Sequence, residues 1–393
     1  MYYSSTRGTE EKVTASQAII KGISNDGGLY VPSEFPNVKN ELINLVNLTY
    51  SQIAFFVLSK FLCDFTEDEI KNCIENAYDE KFDCSSIAPL NKVNDTYFLE
   101  LYHGPTLAFK DMALTIMPHL LKTSIKKDNL EKDVVILTAT SGDTGKAALE
   151  GFKDIDKINF VVPTGNFGNI LAGYYAKQMG LPINKLICAS NDNNVLYDFF
   201  KTGVYDKNRT LKLTTSPSMD ILISSNLERL LFEISNRNTD IVNKLLSDLS
   251  DKGVYKISDD MEKNLASFYG EYSNEEEVKS TINNVFKNYN YLIDTHTAVA
   301  YNCYEKYKKE TSDNTKTVIV STASPFKFSE DVLKSIDCDF KDLDDFAIID
   351  RLSSISKIDI PKPIKNLKNA EILHKDIYEK DELKLAIKKF LKV

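Results

Sequence analysis

Apolar residues recur at helical spacing between Tyr50 and Tyr78, at Ile53, Phe56, Val57 and Phe61, and Thr66 followed by Glu69 forms a capping box that opens a second helix. The front of the chain is therefore predicted to be mostly helical. A further amphipathic helix is expected over 16–23, and Asn25-Asp26-Gly27-Gly28 forces a turn before the strand-like Leu29-Tyr30-Val31. The period then shortens. Residues 97–101 (YFLEL) read as a strand, 114–125 as a helix, and 133–138 (DVVILT) as a buried parallel strand, being continuously apolar and β-branched. That strand runs into the loop 139–145 and a helix over 146–152. A second copy of the same grammar follows: strand 158–162, loop 163–169, helix 170–179, a cap at Gly180 and strand 185–189. Strand, glycine loop, helix and strand make a βαβ unit, so the fold class is α/β. Further helices are expected over 227–249, 259–268, 275–288 and 297–308, a strand over 317–320, and a closing helix over 381–391. Residues 340–369, charged and interrupted by Pro361 and Pro363, read as a surface wrap.

The length of 393 residues suits two or three domains around a large core. With 42% hydrophobic and 27% charged residues the composition is that of an ordinary globular protein. A net charge of -9 gives no electrostatic reason to seek nucleic acid or an anionic membrane, so a small anionic ligand needs a local site. The first residues, MYYSSTRGTEEKVT, hold no apolar signal core, and no run of 18 apolar residues occurs. The expectation is a cytoplasmic protein without a membrane partner. Six cysteines without a CxxC pair suggest reduced thiols, and four dispersed histidines (His103, His119, His296, His374) argue against a catalytic metal.

The chemistry concentrates in short segments. In LYHGPTLAFKDMA (101–113), Gly104 and Pro105 stop what precedes, and Lys110 follows the apolar Leu107, Ala108 and Phe109 at the expected start of a helix. A lysine in apolar surroundings has a depressed amine pKa and can attack a carbonyl to hold a Schiff base; a lysine at a helix terminus can equally snorkel to water. The loop Gly165-Asn166-Phe167-Gly168-Asn169 opens a helix, where free N–H groups and the positive dipole end attract a phosphate, although the same glycines also suit a tight turn. Ser141-Gly142-Asp143-Thr144-Gly145 is a second strand-to-helix loop; it fits a carboxylate at a helix N-terminus or simple N-capping. Thr322, just past a strand, can exchange one hydrogen bond with a ligand. A carbonyl for the lysine, a phosphate for the glycine loop and a ring edged by short polar side chains describe pyridoxal 5′-phosphate.

The motifs HGPTLAFKD, TATSGDTG, VPTGNFGN and STASPFKF, in this order, with SNDGGLYVP near the start and DTHTAVAY at 294–301, closely resemble the threonine synthases, a family of fold-type-II pyridoxal-phosphate enzymes with a tryptophan-synthase-β-like architecture. The resemblance runs from about residue 13 to about residue 335. It implies that Lys110 holds the cofactor as a Schiff base and then shuttles protons, that Gly165, Asn166, Phe167, Gly168 and Asn169 cradle the cofactor phosphate, and that Thr322 sits by the pyridine nitrogen. It also implies that Ser141, Gly142 and Thr144 hold the substrate carboxylate. Asp143 would approach the cofactor's 3′-oxygen, where many relatives carry asparagine, and there it would have to share a proton with the phenolate. The family reaction converts O-phospho-L-homoserine and water to L-threonine and phosphate.

One departure from the family is large. Only Gly151–Lys157 (GFKDIDK) separates the helix after SGDTG from the strand before GNFGN, whereas the family carries roughly a hundred residues there, about three βα units. That segment builds most of a smaller mobile domain and part of the substrate clamp. The expected organisation is a mostly helical section over 1–92, the lysine segment with a remnant of the small domain over 93–157, and a large cofactor-binding domain with a C-terminal wrap over 158–393. The short connection would place strands 133–138 and 158–162 side by side. Three readings follow: a threonine synthase, a pyridoxal-phosphate-binding protein with impaired catalysis, and a related serine/threonine dehydratase. Lys21, Lys146 and Lys327 are candidates, by charge only, for the substrate phosphate; Thr295 stands where the family has proline, and His103 and Met219-Asp220 read as structural. The oligomeric state is not legible.

Overall fold

The computed structural model describes residues 1–8, 11–128, 157–337, 343–371 and 377–391. The loop 139–145 and its flanking strand and helix, with Ser141, Gly142, Asp143, Thr144 and Lys146, lie outside the described residues.

The front section is helical where the apolar spacing predicts it. Helices α1 (Ala15–Lys21), α2 (Tyr50–Phe61) and α3 (Glu67–Ala77) each begin with a threonine in a capping box, Thr14 with Gln17, Thr49 with Gln52 and Thr66 with Glu69. Each reciprocal pair satisfies two amides that a helix start leaves open. The predicted helix over 114–125 is two helices, α4 (Asp111–Leu114) and α5 (Met117–Lys127), because Pro118 has no N–H to continue the ladder and starts a new helix instead. Leu58, Ile70, Ile74, Ile116 and Leu120 close a satellite core between α2, α3 and α5.

Among the described residues the main sheet holds six strands: β1 (Leu90–Val93), β2 (Thr96–Glu100), β3 (Ile158–Pro163), β4 (Ile183–Ser190), β5 (Phe268–Tyr272) and β6 (Thr317–Ser321). Their spatial order is β1-β2-β6-β3-β4-β5, antiparallel between β1 and β2 and parallel elsewhere. β3 has β6 on one side and β4 on the other; residues 133–138, expected beside it, lie outside the described residues. β6, buried along its whole length around the apolar Val318, Ile319 and Val320, suits this central position beside β3. The expected boundary at 93 falls at the end of β1, whose hairpin partner β2 joins this same sheet.

Alternate strand residues face opposite sides. Leu99, Phe160, Val162, Leu186 and Val320 pack against α6 (Gly168–Gln178) and α7 (Leu227–Ile234). Phe98, Val161, Ile187 and Ile319 pack with residues of α9 (Glu275–Tyr289), α10 (Thr295–Thr311) and α11 (Ser329–Ile336). Between these lies α8 (Thr239–Lys252). The helix expected over 227–249 is thus divided into α7 and α8, at Asn236 and Arg237, both at positive φ. The helix expected over 259–268 stops at Asn264 and gives way to β5. Gly270 permits this edge strand to lie close to the neighbouring helix, since a Cβ there would stand 2.8 Å from Phe200 Cβ and 3.2 Å from the Tyr197 carbonyl oxygen. The surface wrap is more ordered than its charge implied: Asp344 caps helix α12 (Asp345–Ser356), which buries Ile348 and Leu352 on the second core face. No helix of the described residues is long and apolar enough to cross a membrane.

Candidate functional site

The parallel strands β2, β6, β3 and β4 end on one side of the sheet, where α/β folds place ligands. The lysine segment is fastened there. Leu101 N–H donates to the Ser321 carbonyl at 3.0 Å, Phe109 N–H to the Thr322 carbonyl at 2.9 Å and Ser324 N–H to the Leu107 carbonyl at 3.0 Å. These bonds hold Lys110, half-buried at the N-cap of α4, beside Thr322, which is 3% exposed. Half-burial is less than the apolar company of Leu107, Ala108 and Phe109 suggested.

Behind the lysine, Asp111 is buried and organises the turn: its carboxylate accepts from Thr106 N–H at 2.9 Å and Thr106 Oγ1 at 2.7 Å. A Cβ on Gly104 would lie 2.4 Å from Asp111 Cβ. Gly104→Ala is therefore expected to destabilise the fold by about 1–3 kcal/mol, the range for overpacking a tight site, which urea denaturation would measure.

The glycine loop follows β3 directly. Phe167 sits at φ +65° as the N-cap of α6, with its ring 1% exposed in the core near Phe200 and Phe268. Only its backbone is left for a ligand, and its side chain acts as an anchor. No side chain among the described residues caps α6, which leaves the first amides of the helix to face the cleft. Ser224 Oγ donates to the Gly165 carbonyl at 2.8 Å, and Ser225 N–H and Asn226 Nδ2 bond Asn166 Oδ1 at 2.6 Å and the Asn166 carbonyl at 3.0 Å. The loop is thus braced by Ser224, Ser225 and Asn226, three residues whose part in the site sequence reasoning missed. Gly165 is needed because a Cβ there would meet the Ser218 carbonyl oxygen at 2.7 Å.

Lys110, Gly165, Asn166, Phe167, Gly168, Asn169 and Thr322, the seven sequence-predicted site residues that are described, share one narrow cleft, which Phe109, Ser218, Met219 and His296 also line. The room it leaves is small, about 30 Å³. The donor chemistry also fits a phosphate: amides at a helix start, and Asn169 Nδ2, buried without a hydrogen-bond partner among the described residues. His296 is the principal residue missed as part of the site. It is buried, its Nδ1 lies 2.7 Å from Asp294 Oδ2, and its Nε2 accepts from Ser218 N–H at 3.3 Å, which fixes the proton on Nδ1. The motif DTHTAVAY contained it, but nothing in the spacing tied it to the loops. Asp220 has the structural role expected of it, accepting from Asn191, Asn193 and Thr214. Lys21 is not brought to the cleft and pairs with Glu11; Lys327 donates to the Thr106 carbonyl at 2.9 Å.

His103, read as structural, bridges Asp83 at 2.7 Å and Glu100 at 2.9 Å, and Tyr291 Oη donates to the other Glu100 oxygen. Burial alone would lower the His103 pKa, but the bonds to Glu100 and Asp83 prevail and raise it above the usual imidazole value. Its stabilisation is therefore full below about 6.5, the unfolded pKa, and is lost as pH rises through the raised folded value. The stability lost in His103→Gln should be larger near pH 6 than near pH 9 when urea curves are compared.

Comparison with known proteins agrees with this geometry. The profile "Threonine synthase N terminus" matches residues 2–78, and "Threonine synthase, C-terminal" matches residues 297–377. Human threonine synthase-like 1 is 32% identical over 83% of this chain and 59% of its own length, so the chain spans about three fifths of that relative. The threonine synthase of Pseudomonas aeruginosa is 31% identical, with 85% of this chain and 90% of that protein covered. The crystal structure of a PLP-bound threonine synthase from Brucella melitensis superimposes with a TM-score of 0.76 at 28% identity, covering 86% of this chain and 91% of that one. A sheet edge that gathers the lysine, the glycine loop and Thr322, and this likeness over most of both chains, together establish that the chain belongs to the threonine synthase family.

Proposed function

We propose that the protein binds pyridoxal 5′-phosphate and converts O-phospho-L-homoserine and water to L-threonine and phosphate. The observation that carries this reading is the convergence of Lys110, the 165–169 loop and Thr322 on one cleft. The residues suit the cofactor's handles: Lys110 Nζ for the aldehyde, the first-turn amides of α6 and Asn169 Nδ2 for the phosphate, and the Thr322 hydroxyl for the ring nitrogen. When bound, the cofactor supplies an electron sink for charge that develops next to the substrate amine.

The chain's own groups supply the rest. Lys110 Nζ would be the base that takes and returns protons at the substrate carbons, and its place at the N-cap of α4 sets its reach. The first amides of α6 would hold the phosphate end of the cofactor, on the same cleft as Lys110. A neutral hydroxyl at Thr322, in place of a carboxylate, leaves the ring nitrogen less firmly protonated. His296 lines the cleft, held by Asp294 and Ser218, and so helps to shape it.

A second reading, cofactor binding with impaired turnover, draws support from one observation. The alignment with the Pseudomonas enzyme extends over 429 positions and that with human threonine synthase-like 1 over 443, both more than the 393 residues of this chain. The relatives therefore contain segments without counterpart here, and the short 151–157 connection is where the motifs put the largest. Phosphate release from O-phosphohomoserine separates the readings: release with equimolar threonine supports the synthase, cofactor uptake without release supports the impaired form, and ammonia from serine or threonine would point to a dehydratase.

A further inference from the structure

A second, mostly apolar cavity lies next to the cleft and is roomier than it. It has a volume of about 400 Å³ and lies between α2, α6 and the sheet, with Val57, Leu99, Leu101, Val162 and Met179 in its walls. Two polar groups that the proposed reaction does not use sit in this apolar lining. Arg229 donates Nε to the Tyr30 carbonyl at 3.2 Å and Nη1 to Asn226 Oδ1 at 2.5 Å, and no carboxylate among the described residues pairs with it; neighbouring Glu228 is taken by Arg7. Tyr175 Oη is buried without a hydrogen-bond partner among the described residues. Burial holds this phenol well above its usual pKa, so it remains a neutral donor.

We propose that this cavity is a binding site for a medium-chain carboxylate, with the carboxylate between Arg229 and Tyr175 and the hydrocarbon body along Val57, Leu99 and Leu101. The two polar groups are one cation and one O–H, which call for an anionic acceptor. A two-oxygen carboxylate matches one guanidinium edge and one phenol, whereas a phosphate dianion would bring more charge than one guanidinium offsets. The rest of the lining offers shape and apolar contact, which fits an unbranched aliphatic body, and the volume falls in the range of small-molecule sites. Asn169 lies in the wall shared with the cofactor cleft, so the two sites adjoin.

The test is calorimetric titration of the full chain with sodium octanoate, with 1-octanol and acetate as probes lacking the charge or the body. Saturable octanoate binding at one site is expected, at least about tenfold tighter than either control. Tyr175→Phe should weaken it by about five-fold, the effect of one hydrogen bond, and Val57→Phe, which fills the cavity, should abolish it while the melting temperature stays within a few degrees of the parent. Absence of saturable octanoate binding to the parent protein, equal binding of 1-octanol, or binding that survives both substitutions would overturn the assignment. Because the readout is binding without cofactor or substrate, it stands or falls independently of the proposed reaction.

Discussion

Lys110→Ala is expected to remove phosphate release from O-phosphohomoserine and to abolish the visible absorption that pyridoxal phosphate acquires on the protein. Loss of proton transfer alone accounts for about 10²- to 10⁴-fold in rate. Loss of the covalent attachment adds to it. The fold should survive, because Lys110 is half-buried, and the bonds that fasten its segment, Phe109 to Thr322 and Ser324 to Leu107, run through backbone atoms. Far-ultraviolet circular dichroism and the urea midpoint would therefore be close to those of the parent. A variant that unfolds would show that Lys110 is a packing residue, and one that releases phosphate at the parent rate would show that it is not the catalytic lysine.

Asp294→Ala should have the largest effect on stability. Asp294 is 0% exposed and caps α10 through Thr297 N–H at 3.0 Å and His296 N–H at 2.9 Å, while the same carboxylate holds His296 Nδ1 and Thr297 Oγ1. Removing a cap and leaving buried donors unsatisfied together cost about 2–5 kcal/mol. Asp294→Asn keeps one acceptor and should recover part of this. The site should respond as well, since His296 would lose the partner that sets its tautomer and orientation, and cofactor affinity would fall in the alanine variant more than in the asparagine one. Urea curves and cofactor titrations on both variants check the two effects separately; an alanine variant as stable as the parent would mean that the carboxylate carries little of the helix start.

The sequence exposed the elements whose signals are local. Apolar runs gave β3 and β6, helical apolar spacing gave α1 and α2, the Thr66–Glu69 capping box gave the start of α3, and the glycine loop stood out because it sits between a strand and a helix. Lys110 was legible through its motif, and its partner Thr322 through its place after a strand. What stayed hidden depends on contacts between distant segments. The short edge strand β5 reads locally as the end of a helix, and only its pairing with β4 makes it a strand. His296 and Ser218 are 78 residues apart and meet through one backbone bond. Of the neighbours of β3, β4 was legible from the strand, loop, helix and strand pattern, whereas β6 comes from a distant part of the chain and left no local signal. The apolar cavity has no sequence signature at all, since its walls come from α2, α6 and four strands of the main sheet, β2, β3, β4 and β6.

The most direct test of the central claim, that Lys110 and the 165–169 loop form a single pyridoxal-phosphate site, is to incubate the purified protein with the cofactor, reduce it with borohydride and map the modified peptide by mass spectrometry. The account predicts one stoichiometric pyridoxyl group on Lys110, with inorganic phosphate in excess protecting against it by competing for the loop. Modification spread over surface lysines, or a single label on another lysine, would contradict it.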